Sequence, residues 1–389
     1  MGFPSIICEI AFTTDPGAFP AWANVSAYVR GFTINRGHQH ELDRMEAGTA
    51  TVKLDNRDRR FDPLFAAGPY YPNVLPVRRL RLTATWGLGI YRQFSGFIES
   101  WPQEWPQMLD AEVEVEVTDG FKMLALASIS PNIIEGLSGS HITAALDAAG
   151  WPAANRIIGV GKSTMQAVVL DEESALTYCL EIARGENGWF YMDPNGSAVF
   201  RDRHYRILNK NVSAGIFGDA AGELPYADLY PSYDESEIWN RVVATRIGGA
   251  DQTWEDAASE VRYFTRARLE SSLRLSTDPQ ALSLAQALVG QYKEPALRVR
   301  SITLHPQGDD LLWPHVLGRV LGDRITVRRR PPGGGAMIEE DVHIEAISHV
   351  VGPKWWETKW MLSPADNQAY WVLDDPVLSV LDSTTRLAF

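Results

Sequence analysis

A chain of 389 residues, 45% hydrophobic and 22% charged, is long enough for two or three ordered domains and lacks the composition of a disordered protein. The net charge of -13 argues against a dedicated nucleic-acid binder, because such a protein needs a basic surface to displace counterions from phosphates. The two cysteines, Cys8 and Cys179, argue against a disulfide framework. The sequence predicts neither a secretory signal peptide nor an apolar run long enough to span a membrane.

Residues 1–126 predict a first domain of antiparallel β-structure. Apolar and polar residues alternate over 49–56 and 78–87, and a third strand is predicted over 91–100 after a turn that contains glycine. A further strand is expected over 112–117. This run of strands indicates a small barrel or sandwich.

The strand at 112–117 alternates acid and valine. With a side-chain period of two, Val113, Val115 and Val117 fall on one face and are expected in the core. Glu112, Glu114 and Glu116 fall on the other face, which is either a solvated outer surface or a surface with a function of its own.

Residues 127–205 predict a small α+β domain. Ser140 is expected to cap a helix that Gly150 ends, and a hairpin is expected with its turn at 193–196. A second helix is expected to present one apolar face formed by Leu176, Cys179, Leu180 and Ala183.

Residues 206–365 predict a second β-domain that contains one helix. The helix is expected to begin at Asp278, with Pro279 as its first helical residue, and to run to about 292. The predicted strands are 238–249, 297–306, 323–330, 340–350 and 355–362. Residues 366–389 show no clear period and are interpreted as a C-terminal docking tail.

The order of signals in the first β-region recurs in the last. In both regions a strand, a glycine-containing turn, a second strand and a tryptophan-bearing segment follow one another, so that Ile98-Glu99-Ser100 corresponds to Ile344-Glu345-Ala346. The repeat predicts two similar barrels in one chain. Three such chains would present six similar barrels in a ring.

No catalytic, metal or cofactor site is predicted. The segment 159–164, GVGKST, lacks the first glycine of a phosphate-binding loop, because that position is Arg156, and it is interpreted as a turn. The histidines lack the spacing of a metal site, and the alternating acids and arginines of 54–63 are interpreted as an ion-paired turn.

The sequence contains 13 tryptophans, for which two interpretations stay open. Exposed indole rings bind sugars by stacking, which would make this a carbohydrate-binding protein. Tryptophan is also enriched in subunit interfaces. On the second interpretation, the candidate interface residues are Trp101, Trp105, Trp355, Trp356, Trp360, Tyr370 and Trp371.

Segments along nearly the whole chain resemble the minor tail proteins of long-tailed bacteriophages, particularly those that infect actinobacteria. The most specific segment is ELDRMEAGTATVKLDNRDRRFDP, and the others are GPYYPNVLPVRRLRLTATW, FSGFIESWPQEWP, HITAALDAAGWP, GGADQTWEDAASEVRYFTR, EPALRVRSITLHP and WMLSPADNQAYWVLDD. The resemblance implies a baseplate or tail-tip hub with two tube-like β-barrels. Such hubs are homotrimers that join the sixfold tail tube to the threefold tip.

The resemblance also implies a location and partners. The protein would be assembled in the host cytoplasm, lie at the tail tip of the virion, and contact the distal tail protein, the tape measure protein and downstream tip or fibre proteins. Genomic DNA would pass through the hub without specific binding. Some related tail-tip proteins carry a peptidase or hydrolase domain, but no such domain is recognised here, and we expect no enzyme activity. A hexameric distal tail protein and a receptor-binding tail protein are the alternatives.

In such a hub one polar face of the sheet lines the channel through which DNA leaves. A channel wall that must not hold a polyanion should carry carboxylates, because each lysine or arginine adds a phosphate contact. Glu112, Glu114 and Glu116 are therefore candidate channel-lining residues.

Overall fold

The computed structural model describes residues 2–40, 42–233 and 235–365, together with the backbone of 369–370 and 385–386. The longer strands are β1 (Ser5–Ala11), β2 (Val29–Gly37), β3 (Thr49–Asp55), β4 (Arg79–Trp86), β5 (Gly89–Ser100), β6 (Glu112–Thr118), β7 (Trp189–Met192), β8 (Ala198–Arg201), β9 (Asp228–Ser232), β10 (Arg241–Arg246), β11 (Gln252–Glu255), β12 (Ala267–Leu273), β13 (Arg298–Leu304), β14 (Arg324–Arg329), β15 (Ile338–Gly352) and β16 (Trp355–Pro364). The α-helices are α1 (Phe121–Leu126), α2 (Ser138–Ala148), α3 (Ala175–Glu186), α4 (Tyr205–Asn209), α5 (Ala257–Tyr263), α6 (Asp278–Tyr292) and α7 (Trp313–Gly318).

Short elements connect these. The short strands are Ala23–Asn24, Gln103–Glu104, Ser128–Ile129, Asn132–Ile133, Gly136–Leu137, Arg156–Ile158, Thr164–Met165, Val168–Val169, Glu173–Ser174, Ile216–Phe217, Ala369–Tyr370 and Thr385–Arg386. The 3₁₀ turns are Ser26–Tyr28, Ala153–Asn155, Pro306–Gly308 and Asp310–Leu312. None of the described helices is long and apolar enough to cross a membrane.

One large antiparallel sheet dominates the fold. Its main path runs β9-β13-β16-β15-β2-β3-β6-β5-β4-β1, and β14 pairs with β15 beside this path. The predicted alternation is confirmed in β6, where Val113, Val115 and Val117 are at most 1% exposed. The chain is therefore mainly β with added helices, as the sequence predicts.

The sheet contains two β-units with the same strand order. The N-terminal β-unit comprises β1–β6 and contains the order β2-β3-β6-β5-β4; the C-terminal β-unit comprises β9 and β13–β16, in the order β9-β13-β16-β15-β14. Both units also carry a β-bulge at the same place, between Ile98 and Ser100 in β5 and between Ile344 and Ala346 in β15. The residue correspondence predicted from the sequence repeat is thus confirmed.

The described strands do not form two closed barrels. The main sheet is open, because its path ends at β9 on one side and at the short strand Ala23–Asn24, beside β1, on the other. Within it, β2 of the N-terminal β-unit pairs with β15 of the C-terminal β-unit. The two units consequently share one hydrophobic core, to which Leu82 and Val115 contribute from one side and Ile302 and Ile344 from the other. The prediction of two separate barrels is corrected to two β-units fused edge to edge.

Helices α1, α2, α3 and α6 pack around a second core, which defines the α+β unit, whereas α7 contributes Trp313 and Val316 to the first core. This unit comprises α1–α3 with β7 and β8, and it also includes β10–β12 and α6. Tyr178 and Phe190 from the first segment pack in the same cluster as Val242 and Leu288 from the second. The predicted boundaries, 127–205 and 206–365, are corrected here, because 241–292 belongs to the α+β unit rather than to the C-terminal β-unit.

Among the three longest helices, local signals mark the ends of α3 and the start of α6 but not the start of α2. Helix α3 is capped by the Ser174 side chain and ends at Glu186, before Asn187, whose φ is 54°. Helix α6 begins at Asp278 with Pro279 next, as predicted. Helix α2 begins two residues before the predicted cap, and the hydroxyl of Ser140 donates to the Leu137 carbonyl inside the first turn.

Candidate assembly surfaces

The three glutamates of β6 lie on a polar face that lies opposite the core. Strand β3 runs beside them and places Asp55 opposite Glu112, Lys53 opposite Glu114 and Thr51 opposite Glu116. Directly paired residues of neighbouring strands share a face. The glutamates therefore belong to one surface with these partners, and we call it the polar face.

Most of this acidic charge is paired within the chain. Arg30 lies 3.1 Å from the Glu112 carboxylate, and the Lys53 ammonium lies 3.3 Å from Glu114. Glu116 is exposed and accepts a hydrogen bond of 3.1 Å from the Ser100 hydroxyl. The alternating sequence predicts that the three glutamates share this face. The structure adds cations from other strands beside Glu112 and Glu114, while Glu116 has no ion-pair partner among the described residues.

The polar face continues without a break from one β-unit to the other. Glu116 pairs with Thr51, Thr51 with Thr33, Thr33 with Val350, and Val350 with Glu357. These cross-strand pairs put residues of β6, β3, β2, β15 and β16 on the same side of the sheet. Any channel wall or outer surface formed by the glutamates thus includes both β-units.

Three of the tryptophans predicted at interfaces are core residues. Trp101, Trp356 and Trp360 are at most 8% exposed. Trp101 stacks on Phe12 at a centroid distance of 5.9 Å, and its indole N–H donates to the Leu75 carbonyl. The interface hypothesis is corrected for these three, because their rings are already packed inside the chain.

The remaining interface candidates are Trp105 and Trp355, which are 70% and 44% exposed. Among the described tryptophans, the other exposed one is Trp254 in β11. These three rings belong to three different segments, so the described residues offer no continuous row of exposed indoles for sugar stacking. The Tyr370 side chain and Trp371 lie outside the described residues.

The GVGKST segment binds an anion, but the anion is a side chain of the same molecule. The backbone N–H groups of Lys162 and Ser163 both donate to the carboxylate of Glu186, at 3.1 and 2.7 Å. The Ser138 hydroxyl donates to the same oxygen, and Glu186 is fully buried. The interpretation as a structural turn agrees with this geometry.

The remaining charged side chains singled out in the sequence form ion pairs within the chain. In 54–63 each of three arginines pairs with an aspartate of the same turn, as in Arg59 with Asp62 at 2.8 Å. Across the described residues, no group of three or more His, Cys, Asp or Glu side chains is arranged to hold a metal. A cavity of about 500 Å³ is lined in part by Arg184, Arg268 and Glu270, and both arginines form ion pairs with Glu270.

A buried ion cluster lies where three parts of the chain meet. Glu345, the bulge residue of β15, is 1% exposed, and its carboxylate contacts His38 at 2.7 Å and Arg206 at 2.8 Å. The Ser363 hydroxyl also donates to Glu345. His38 follows β2, and Arg206 lies in α4 with its guanidinium 3.4 Å from the centre of the Trp189 ring. The cluster thus fastens the N-terminal β-unit and α4 to the C-terminal β-unit.

The cluster shifts the titration of its members. Burial alone would lower the pKa of His38, but the hydrogen bond and charge of Glu345 outweigh burial, and the pKa is raised. Burial would raise the pKa of Glu345, yet Arg206 and His38 together lower it to about 2. The other ring nitrogen of His38 lies 2.9 Å from the Asp43 carbonyl, so both nitrogens can donate when the ring is charged. Sequence reasoning paired Glu345 with Glu99 but missed this cluster.

We expect His38 to make stability depend on pH above neutrality. Because the pKa of His38 is raised in the folded state, its contribution to the free energy of unfolding is complete below about pH 6.5, the pKa in the unfolded chain. This contribution is lost as the pH rises through the pKa of the folded state. Urea midpoints from pH 6 to 9 should therefore fall for the wild type relative to His38→Gln. The comparison separates His38 from His343 and His349, whose pKa values burial lowers. The matched control is His40→Gln, which should keep the wild-type dependence; an unchanged slope in His38→Gln would contradict the expectation.

Comparison with solved structures identifies the fold. No family model matches the chain, and no curated protein matches its sequence. A tail protein of Neisseria meningitidis superposes with a TM-score of 0.61 at 12% identity, over 93% of this chain and 97% of that one. The 43 kDa tail protein of a Shewanella oneidensis prophage gives 0.59 at 12% identity, over 92% and 98%.

This chain has the fold of these tail proteins. A component of the E. coli type VI secretion system, described as similar to the bacteriophage T4 tail proteins gp27 and gp5, also superposes, with a TM-score of 0.51 at 9% identity over 87% of this chain and 74% of that one. The predicted resemblance to phage tail proteins is therefore supported at the level of the fold. Its narrower form, which names phages of actinobacteria, stays a prediction.

Proposed function

We propose that this chain is a structural protein of a phage tail tip, a trimeric hub that joins the sixfold tail tube to the threefold tip and surrounds the DNA channel. The observation that carries the proposal is the duplication. One chain contains two β-units with the same strand order and the same bulge, joined through β2 and β15. Three copies then supply six equivalent units, which is the number that a sixfold tube requires.

The fold supports this role, since proteins described as tail proteins superpose over more than nine-tenths of the chain. The partners we propose are the distal tail protein, the tape measure protein and downstream tip or fibre proteins. The location is the tail tip of the virion, after assembly in the host cytoplasm. The protein acts without catalysis, and DNA passes without specific contacts.

The copy number tests this function. Mass photometry of the purified protein, combined with symmetry averaging of tail tips by electron microscopy, should give three copies around the tail axis. Six copies would indicate a distal tail ring and would contradict the hub. A monomer found away from the tail axis would favour a receptor-binding protein.

We further propose that Glu112, Glu114 and Glu116 face the channel. Replacing all three with lysine should create duplex-DNA binding whose affinity falls steeply with salt, with a logarithmic slope of about −0.9 for each phosphate contacted. Fluorescence anisotropy of labelled DNA on the assembled protein measures this.

The matched control makes the same change in net charge at three exposed glutamates elsewhere, Glu46, Glu135 and Glu172. The control variant should bind DNA much more weakly than the channel variant, because a ring surrounds DNA only at its inner wall. Equal binding by the two variants would place the polar face outside the channel.

A further inference from the structure

The junction between the two β-units shows how this fold joins one unit to the next. Strand β2 adds antiparallel to the part of β15 that follows the bulge, from Ala346 opposite Gly37 to Val351 opposite Phe32. Phe32 and Val351 are 3% and 5% exposed. We call this pairing the internal seam; it consists of one donor strand, β2, and one acceptor segment, 346–351.

The repeat supplies a second donor and a second acceptor. In the C-terminal β-unit the strand equivalent to β2 is β9, and in the N-terminal β-unit the equivalent of 346–351 is 100–105. The register supports the second equivalence, because Glu104 lies opposite Glu112 as Val350 lies opposite Glu357. Within the described chain, β9 pairs with β13 and the short strand Gln103–Glu104 pairs with β6, so each keeps one open edge.

Both open edges expose apolar side chains. Trp105, Met108 and Leu109 are 70%, 92% and 93% exposed beside the acceptor segment, and Tyr230 and Tyr233 are 58% and 69% exposed at β9. Unpaired strand edges next to exposed apolar groups are suited to adding a strand from another chain.

Proline at position 102 does not block the acceptor edge. The Pro102 carbonyl accepts a hydrogen bond of 3.4 Å from the backbone N–H of Glu114, so this residue directs its backbone towards β6. In an antiparallel ladder the neighbouring residues direct theirs to the opposite side. The N–H groups of Trp101, Gln103 and Trp105 therefore point to the open edge. The Gln103 side chain donates to the carbonyls of Trp101 and Phe61 and leaves these backbone N–H groups uncovered.

The bulge residues give independent support. Glu345 at the internal seam and Glu99 at the open edge are equivalent, and the hydroxyls of Ser363 and Thr118, also equivalent to each other, donate to them. At the internal seam His38, from the segment that follows the donor strand, contacts Glu345 and covers it. The Glu99 side chain is 37% exposed, and its ion pair is with Lys122 at 3.0 Å. The acceptor segment 100–105 thus resembles the acceptor segment 346–351 as it would be without its donor strand β2.

We infer that β9 of one copy adds antiparallel to residues 100–105 of the next copy and so repeats the internal seam between chains. The inference rests on the proposed ring. The contact is head-to-tail, because donor and acceptor lie on different parts of the chain, and such contacts close into a ring when the rotation permits. Three seams between chains would alternate with three internal seams and make the sheet continuous around the channel.

The register predicts which residues meet. Leu229 lies opposite Ile302 as Phe32 lies opposite Val52, so Leu229 occupies the place of Phe32. Because Thr33 lies opposite Val350 in the internal seam, Tyr230 of one copy should lie opposite Glu104 of the next. Both side chains are exposed in the single chain, so replacing them should leave its core unchanged.

Oxidative cross-linking tests the seam in the full chain. Cysteines introduced together by Glu104→Cys and Tyr230→Cys should be close enough for a disulfide. On a non-reducing gel, most of the chain should shift from monomer to covalent dimer and trimer. Each single variant should stay monomeric, because the native Cys8 and Cys179 are buried.

The control pair is Glu104→Cys with Thr253→Cys, which places the second thiol on β11, away from the seam. Mass photometry of the reduced proteins distinguishes failure of the proposed seam between chains from failure of the proposed trimeric hub. A trimer that cross-links no better than the control pair would overturn the seam and leave the hub intact. A wild-type protein that forms no trimer would overturn the proposed function itself.

Discussion

Replacing Glu345 with glutamine should destabilise the chain by about 3 kcal/mol, near the lower end of the range for removing one partner of a buried ion cluster. The neutral amide leaves His38 and Arg206 without the carboxylate that they both contact. Arg206 keeps some access to water and its contact with the Trp189 ring, which limits the loss. Urea unfolding at a protein concentration where mass photometry shows single chains measures the effect.

The repeat provides an internal control for this substitution. Glu99→Gln makes the same chemical change at the equivalent bulge, where the side chain is 37% exposed and paired with Lys122. Exposed ion pairs contribute little, so we expect a loss below about 1 kcal/mol in the single chain. Similar losses in the two variants would show that Glu345 does not fasten the units together.

Secondary structure could be predicted wherever a local signal specifies it. The valines of β6 reveal a strand by their period of two, and Pro279 marks the start of α6. The repeat could be predicted because a bulge, its neighbours and the following strand keep their order in both units. These features depend on residues close together in sequence.

Features that depend on distant residues could not be predicted in this way. An amphipathic segment shows that it has a buried face but does not show which core it joins, and α6 therefore appeared to belong with the β-strands around it in sequence. Fusion of the two β-units requires β2 to pair with β15, more than 300 positions away. Such register is set by complementary edges in space.

The Glu345 cluster and the polar face show the same difference between local features, which could be predicted, and distant partners, which could not. A glutamate within an apolar strand, as at Glu345, signals a buried charge that needs partners, but nothing local identifies His38 and Arg206 as those partners. The alternation of β6 predicts the direction of Glu112 and Glu114 correctly. It does not predict Arg30 and Lys53, which pair with these two glutamates from other strands.

Adjacent tryptophans in β16 provide the second large prediction. Trp356→Ala should cost about 3–5 kcal/mol of unfolding free energy, as expected for removal of a fully buried aromatic side chain. The Trp356 ring is 0% exposed, meets Trp313 at 5.6 Å and meets Phe32 of β2 at 5.7 Å. Because Phe32 belongs to the N-terminal β-unit, the loss should weaken the internal seam as well as the core.

Trp355→Ala is the matched control, since its ring is 44% exposed and removing it should change stability by about 0.5 kcal/mol or less. Urea unfolding followed by circular dichroism compares the two, because that signal does not depend on the tryptophans alone. If Trp355→Ala lowered the trimer fraction while Trp356→Ala lowered the unfolding midpoint, Trp355 would act in subunit contact and its neighbour Trp356 in core packing. An equal loss of stability in both variants would contradict the assignment of one ring to the core and the other to the surface. Tryptophan content alone could not make that assignment, because burial depends on which face of β16 the core covers.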